Sequence, residues 1–231
     1  MEKIIGILGG MGPLATADLF SKIVLLTDAG SDNEHIRTII DSNSHIPDRT
    51  EAILNGGRDP VPDMLESARL LERAGCDVII IPCNTAHFFI GRLQEQISVP
   101  FIDMIRETAK KLQSDGIRTA GLLATDGTCQ TGIYEKALAD AGIAMLRPEP
   151  DDQRIVMDTI YKVKAQNSDI PVERLRQIAA KFKQRGAQGI ILGCTELPIV
   201  FQNIETVLPK YDPTLILAQC AVRFAGKKVR A

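Results

Sequence analysis

Ala74-Gly-Cys-Asp-Val-Ile-Ile-Ile-Pro-Cys-Asn84 and Arg185-Gly-Ala-Gln-Gly-Ile-Ile-Leu-Gly-Cys-Thr195 decide the fold. Each leaves a helical pattern through a glycine, runs along an apolar strand and stops on a cysteine with a polar residue after it. Upstream, apolar residues recur at helical spacing: Met64, Leu65, Ala68, Leu71 and Ala74 within Asp63–Ala74, and Leu175, Ile178, Ala179 and Phe182 within Val172–Arg185. Gly75 and Gly186 stand just past those helices, where a left-handed cap is wanted. The strands are continuous Val/Ile/Leu runs without polar alternation, as expected when both faces of a parallel sheet are covered.

Outward from this pair, the same kind of short apolar run predicts strands at Lys3–Leu8, Arg37–Asp41, Asp77–Pro82 and Phe101–Asp103 in the first half. Arg118–Ala124, Gly142–Leu146, Gly189–Gly193 and Glu205–Leu208 are their expected counterparts in the second. Three landmarks recur in order. Gly6-Ile-Leu-Gly-Gly-Met-Gly12 resembles Gly121-Leu-Leu-Ala-Thr-Asp-Gly127, offset by 115 residues; Cys83 answers to Cys194, offset by 111; Val99-Pro-Phe-Ile-Asp103 resembles Leu208-Pro-Lys-Tyr-Asp212, offset by 109. Ordered recurrence at nearly constant offset favours two homologous α/β halves over chance likeness among apolar strands.

Composition narrows the function. The 231 residues carry 27 Lys+Arg against 29 Asp+Glu, a net charge of −2, and are 45% hydrophobic. Those are ordinary globular values, large enough for a real core in one domain or two. No basic face announces nucleic acid; Lys227, Lys228 and Arg230 read as a solvated end. No apolar run approaches the roughly 18 residues of a membrane span, and Ile4–Leu8 is too short for a signal segment and is cut by Gly9, Gly10 and Gly12. Five cysteines without a close pair argue against a disulfide framework and for a reducing compartment. The expectation is a soluble cytoplasmic protein that binds neither nucleic acid nor membrane.

The matched cysteines carry the chemistry. Ligand sites of parallel α/β sheets lie beyond the carboxyl ends of strands, which is where Cys83 and Cys194 fall. A single cysteine there would more often be a small buried hydrophobe, the reading kept for Cys76, Cys129 and Cys220. Equivalent positions and polar neighbours, Asn84-Thr85 and Thr195-Glu196, favour function. Metal binding is poorly supported, since Cys83 and His87 supply two nearby ligands and no CxxC pair exists. Thioester chemistry with His87 as base would leave Cys194 idle. Two thiols facing across a cleft suit removal of a proton from one face of a carbon and delivery of another to the opposite face. Helix starts after each cysteine would lower the thiol pKa toward neutrality.

At these residues the sequence resembles the aspartate/glutamate racemase superfamily, and within it the cofactor-independent amino-acid racemases. GILGGMGP at the start, His45-Ile-Pro-Asp-Arg-Thr50, Pro82-Cys-Asn-Thr-Ala-His87 and Gly193-Cys-Thr-Glu-Leu-Pro198 carry the likeness, which spans essentially the whole chain. It implies two pseudo-symmetric three-layer αβα subdomains with parallel sheets and the active site in the cleft between them, here 1–100 with 209–231, and 101–208. It also implies a homodimer that acts on a small amino-acid substrate, aspartate or glutamate, with no cofactor and no metal. By position, Cys83 and Cys194 match the family's two catalytic cysteines. Arg49 matches its substrate-carboxylate arginine, a bidentate fork, and Lys164 a lysine that would hold a second carboxylate. Asn84, Thr85, Thr195 and Glu196, with Met11 and Thr125, would bind the ammonium and α-carboxylate. For Arg49 the bland alternative is a solvated loop residue, and for Lys164 an exposed helix lysine.

Two other classes compete. Gly10-Met-Gly12-Pro-Leu-Ala15 fits a dinucleotide fingerprint between a first strand and a helix, with Pro13 suited to the first helical position. The acidic residue expected about 20 positions on is not clearly placed, however. A non-catalytic dicarboxylate binder would use Arg49 and Lys164 and leave the cysteines idle. Relatives of the family also act on hydantoins, maleate or arylmalonates. No proton role is assigned to His35, His45 or His87.

Overall fold

The computed structural model describes residues 2–230. Two parallel sheets organise them. The first has the order β2 (Thr38–Ser42), β1 (Ile5–Gly9), β3 (Val78–Ile80), and Phe101 adds a single parallel bridge beside Ile79. The second has the order β5 (Ala144–Leu146), β4 (Thr119–Ala124), β6 (Gly189–Gly193), β7 (Lys210–Tyr211).

The two sheets are register copies of one another. Ile5 lies opposite Val78 and Ala120 opposite Gly189, which are the offsets of 115 and 111 read from the sequence. Ile79 lies opposite Phe101 and Ile190 opposite Lys210, reproducing 111 and 109. The bond from Ile79 N–H to the Pro100 carbonyl, 2.9 Å, recurs from Ile190 N–H to the Pro209 carbonyl, 2.9 Å. Two expected strands change accordingly. Phe101–Asp103 shrinks to one bridge because Asp103 turns the chain into a helix. Glu205–Leu208 is not a strand at all; pairing begins at Lys210, where the repeat and not the apolar run places it.

Helices cover both faces of each sheet. On one side of the first sheet lie α3 (Val61–Arg73) and α4 (Ile90–Gln94), with Met64, Ala68, Leu71 and Leu93 in the core. On the equivalent side of the second lie α8 (Pro150–Lys164) and α9 (Val172–Gln184), with Val156, Ile160, Leu175, Ile178 and Phe182 buried. Gly75 and Gly186 end α3 and α9 with φ of +82° and +89°, the left-handed caps expected of them.

The opposite faces are covered by an exchange. α5 (Met104–Ser114) follows the first sheet, yet its Ile105, Ala109 and Leu112 lie in the core with Leu122 and Ile191 of the second. α11 (Pro213–Phe224) follows the second sheet and buries Leu217, Ala218, Ala221 and Val222 with Ile5, Ile7 and α1 (Pro13–Leu26) of the first. The Asp of each repeat caps the exchanged helix: Asp103 accepts from Ile105 and Arg106 N–H, Asp212 from Thr214 N–H. α5 and α11 pack against each other. Within 209–231, therefore, α11 returns to the first sheet while β7 stays with the second. No described helix is long and apolar enough to cross a membrane.

Candidate active site

The carboxyl ends of β1, β3, β4 and β6 converge on a small cavity between the two sheets. All ten residues singled out in the sequence line it: Met11, Arg49, Cys83, Asn84, Thr85, Thr125, Lys164, Cys194, Thr195 and Glu196. Asp48 and Thr50 join them. A wider groove of about 950 Å³ shares Met11, Asp48, Arg49, Lys164 and Glu196 and opens past Leu14, Ser44 and Gln166.

Local sequence places each group. Gly10 has φ +88°, and a Cβ there would fall 2.2 Å from the Asn43 carbonyl carbon, so only glycine lets the loop after β1 approach β2. Thr16 Oγ1 accepts from Gly10 N–H at 2.9 Å and donates to the Gly12 carbonyl at 3.0 Å, which closes the turn that carries Met11. This loop thus serves the β1–α1 junction and one wall of the cavity. Asp48 caps the short helix α2 (Arg49–Leu54), accepting from Thr50 and Glu51 N–H, and sets Arg49 at its first position. Arg49 is buried, not a solvated loop residue. Its Nη1 donates to the Ile46 and Pro47 carbonyls at 3.3 and 2.9 Å, and Nη2 reaches the Met11 carbonyl at 3.4 Å. Among the described residues its Nε finds no partner.

Across from it, Asn84 Oδ1 accepts from Tyr134 Oη at 2.6 Å, which fixes the amide and leaves its buried Nδ2 unpartnered. A buried donor without an acceptor costs about 1–3 kcal/mol, and Arg49 Nε and Asn84 Nδ2 are two such donors among the described residues. Thr85 does not present its hydroxyl in the same way. It lies 3.0 Å from Thr125 Oγ1 and 2.8 Å from Thr128 Oγ1, while Thr125 caps α6 (Asp126–Thr131). This hydroxyl cluster stitches the two sheets together beside the cavity.

Cys194 Sγ donates to Glu196 Oε2 at 2.9 Å, and Thr195 Oγ1 to the same oxygen at 3.2 Å. Burial, then the neighbouring Glu196 charge, pushes the Cys194 thiol well above its ordinary value, against the opposing pull of Lys164. The expected lowering by a helix start is not found for Cys194. α10 (Leu197–Phe201) is a single short turn, and a buried carboxylate neighbour, Glu196, outweighs it. After Cys83 the chain enters a 3-10 turn, Thr85–Phe89, before α4. Lys164 closes the last turn of α8 with its side chain 26% exposed, 3.9 Å from Asp48 Oδ2. Burial works against its charge, yet Cys194, Glu196, Cys83 and Asp48 together raise its pKa.

His87 is not a base for Cys83. Its Nδ1 sits 2.8 Å from the Cys83 carbonyl and its Nε2 accepts from Met104 N–H at 3.1 Å, so both nitrogens are engaged with backbone. Sequence reasoning missed Asp48, Thr50, Thr128 and Tyr134. Asp48 had a signal, an Asx cap directly before the arginine; Tyr134 had none, because nothing local ties it to Asn84, 50 residues away. Among the described residues no three His, Cys, Asp or Glu side chains are grouped to hold a metal.

The two α/β halves meet at a polar cavity lined by one thiol from each. Residues 8–221 match the model of the Asp/Glu/hydantoin racemase family. A broad specificity amino-acid racemase of Bacillus subtilis is 30% identical over 224 residues, covering 95% of this chain and 96% of that protein. The Picrophilus torridus aspartate racemase superposes with a TM-score of 0.88 at 33% identity, over 99% of this chain and 96% of that one. An aspartate racemase homologue from Pyrococcus horikoshii gives 0.80 at 25%, over 98% and 100%. The chain belongs to the Asp/Glu/hydantoin racemase family and is a racemase.

Proposed function

We propose that the protein interconverts the L and D forms of an acidic amino acid, aspartate or glutamate, without a cofactor, using Cys83 and Cys194 as the two bases. One observation carries this reading: thiols from equivalent positions of the two repeats line a single buried cavity, beside unpartnered donors suited to a carboxylate. The Nε edge of Arg49 and Asn84 Nδ2 grip the α-carboxylate. Lys164 faces a side-chain carboxylate. The ammonium lies toward Glu196.

The chemistry then follows from charge. An α-proton is weakly acidic, so donors already aimed at the carboxylate stabilise the carbanion as it forms. One thiolate takes the proton from one face while the opposite thiol delivers its own to the other. Cys194, held protonated by burial and by Glu196, is the donor when Cys83 abstracts. In the reverse direction the roles exchange.

The test is α-proton exchange: reduced protein with L-aspartate, and separately L-glutamate, in deuterium oxide, followed by NMR and chiral analysis. Loss of the α-proton signal with appearance of the D form supports the proposal. Binding of both acids without exchange overturns it and leaves a dicarboxylate binder or a racemase of another substrate. Cys83→Ser and Cys194→Ser are each expected to lower racemisation at least about 1,000-fold with unchanged circular dichroism, a loss of roughly 4 kcal/mol. A second reading, broad side-chain tolerance, is favoured by the groove of about 950 Å³ that opens beside Lys164 and by the Bacillus relative. Methionine or lysine turned over as fast as aspartate would establish it.

A further inference from the structure

We propose that His87 is a positioning residue for Cys83: its imidazole N–H holds the Cys83 carbonyl and so sets where that thiol stands in the cavity. The inference rests on Cys83 being a base. His87 does not line the substrate cavity. It lies behind Cys83 and faces a separate pocket with Asp103, the cap of α5, Arg106 of α5, and Lys136 and Asp140 of α7 (Ile133–Asp140). It therefore touches no substrate.

The geometry fixes the tautomer. Met104 N–H is one of the first amides of α5, which no intrahelical acceptor can satisfy. Asp103 takes those of Ile105 and Arg106, and His87 Nε2 takes that of Met104. With Nε2 accepting, the proton sits on Nδ1 and is donated to the Cys83 carbonyl at 2.8 Å. Burial holds the imidazole below its ordinary pKa, against the pull of Asp103 and of the Cys83 and Ile102 carbonyls, which favours the neutral ring. Because α5 is rooted in the core of the second sheet through Ile105, Ala109 and Leu112, the bond ties Cys83 to the subdomain that carries Cys194. Cys194 has no histidine equivalent: the residue four after it is Pro198, not an imidazole. The two thiols are thus held by different means.

His87→Asn keeps a donor at the Nδ1 position, whereas His87→Gln moves its amide to the Nε2 end and releases the Cys83 carbonyl. The expected result is a kcat close to the parent for His87→Asn and a loss of about 10–100-fold for His87→Gln, with KM within about threefold. Misplacement of a reacting group by an ångström costs on that order. Equal stabilities of the two enantiomers force kcat/KM to fall alike in both directions. The primary α-deuterium isotope effect distinguishes the thiols instead. In His87→Gln it rises for the enantiomer that gives its proton to Cys83 and falls for the other. A purely structural histidine would lower stability and leave the two effects symmetric, which overturns the proposal, as does parent-like kcat in His87→Gln. Should His87→Gln not fold, His87→Asn decides: parent-like kcat supports the role, and a loss refutes it. Cys83→Ser separates the failures. If that variant stays active, the two-thiol reading falls; if it is dead while His87→Gln is unaffected, only the role of His87 falls.

Discussion

A buried thiol beside a carboxylate keeps its proton, and Cys194 is such a thiol. Burial and the Glu196 charge raise its pKa, and Lys164 offsets only part of the effect. Glu196→Gln removes the charge while keeping an acceptor, so the pH midpoint of Cys194 alkylation by iodoacetamide, read by mass spectrometry, is expected to move to lower pH. An unchanged midpoint would mean that burial alone sets it. At this scale the sequence was a good guide to which residues meet but a poor one to their charge states. The motifs at Pro82–His87 and Gly193–Pro198 place Cys83 and Cys194 in one cavity. Whether a strand-end thiol meets a helix amide or a carboxylate depends on a rotamer two residues away, which no spacing encodes. The burial of Arg49 was not legible, because one of the carbonyls it meets belongs to Met11, 38 residues distant.

Apolar runs located most strands, β2 and β5 among them, and misled at one place. Glu205–Leu208 looked like a strand, yet Val207 is 66% exposed and unpaired. The equivalence of Pro100 with Pro209 pointed instead to Lys210, where β7 begins. The exchange of α5 and α11 was hidden because both helices show an ordinary amphipathic pattern, and a pattern does not say which core it enters. Asp103 and Asp212 start the exchanged helices and differ in one respect. Asp212 also pairs with Lys22 at 2.8 Å, with both side chains largely buried. Asp103→Ala is expected to cost about 1 kcal/mol, the value of a cap. Asp212→Ala should cost about 2 kcal/mol, since Lys22 loses one of its two carboxylates, Asp18 remaining. Urea midpoints of the two variants check this, and equal losses would reduce the Lys22 pair to a bystander. Close packing adds a second test. A Cβ on Gly121 of β4 would stand 2.5 Å from the Phe182 ring of α9, so Gly121→Ala is expected to destabilise by about 1–3 kcal/mol.

For the whole molecule, buried ionisable groups bound a window of pH. Burial raises Cys194 well above 9.0, and carries Cys129 and Cys220 to about 11 and Tyr211 to about 12. Each holds its proton more tightly folded than unfolded. Their contribution is complete below the unfolded value of 9.0 for the thiols and 10.0 for tyrosine, and is lost as pH rises toward the folded values. His87 bounds the other side. Its folded pKa lies below 6.5, so the unfolded chain takes up that proton first and stability falls as pH drops below 6.5. The melting temperature is therefore expected to be highest between about pH 6.5 and 9 and to decline on both sides, more steeply on the alkaline side where several groups act together. The two limbs separate by substitution. Cys129→Ala and Cys220→Ala, distant from the cavity thiols in role, should flatten the alkaline limb without altering the acid one. His87→Asn should flatten the acid limb alone, because asparagine has no proton to gain. A melting temperature that stayed level from pH 8.5 to 11 would show that the buried thiols ionise without destabilising the fold, and burial would then not be what raises them.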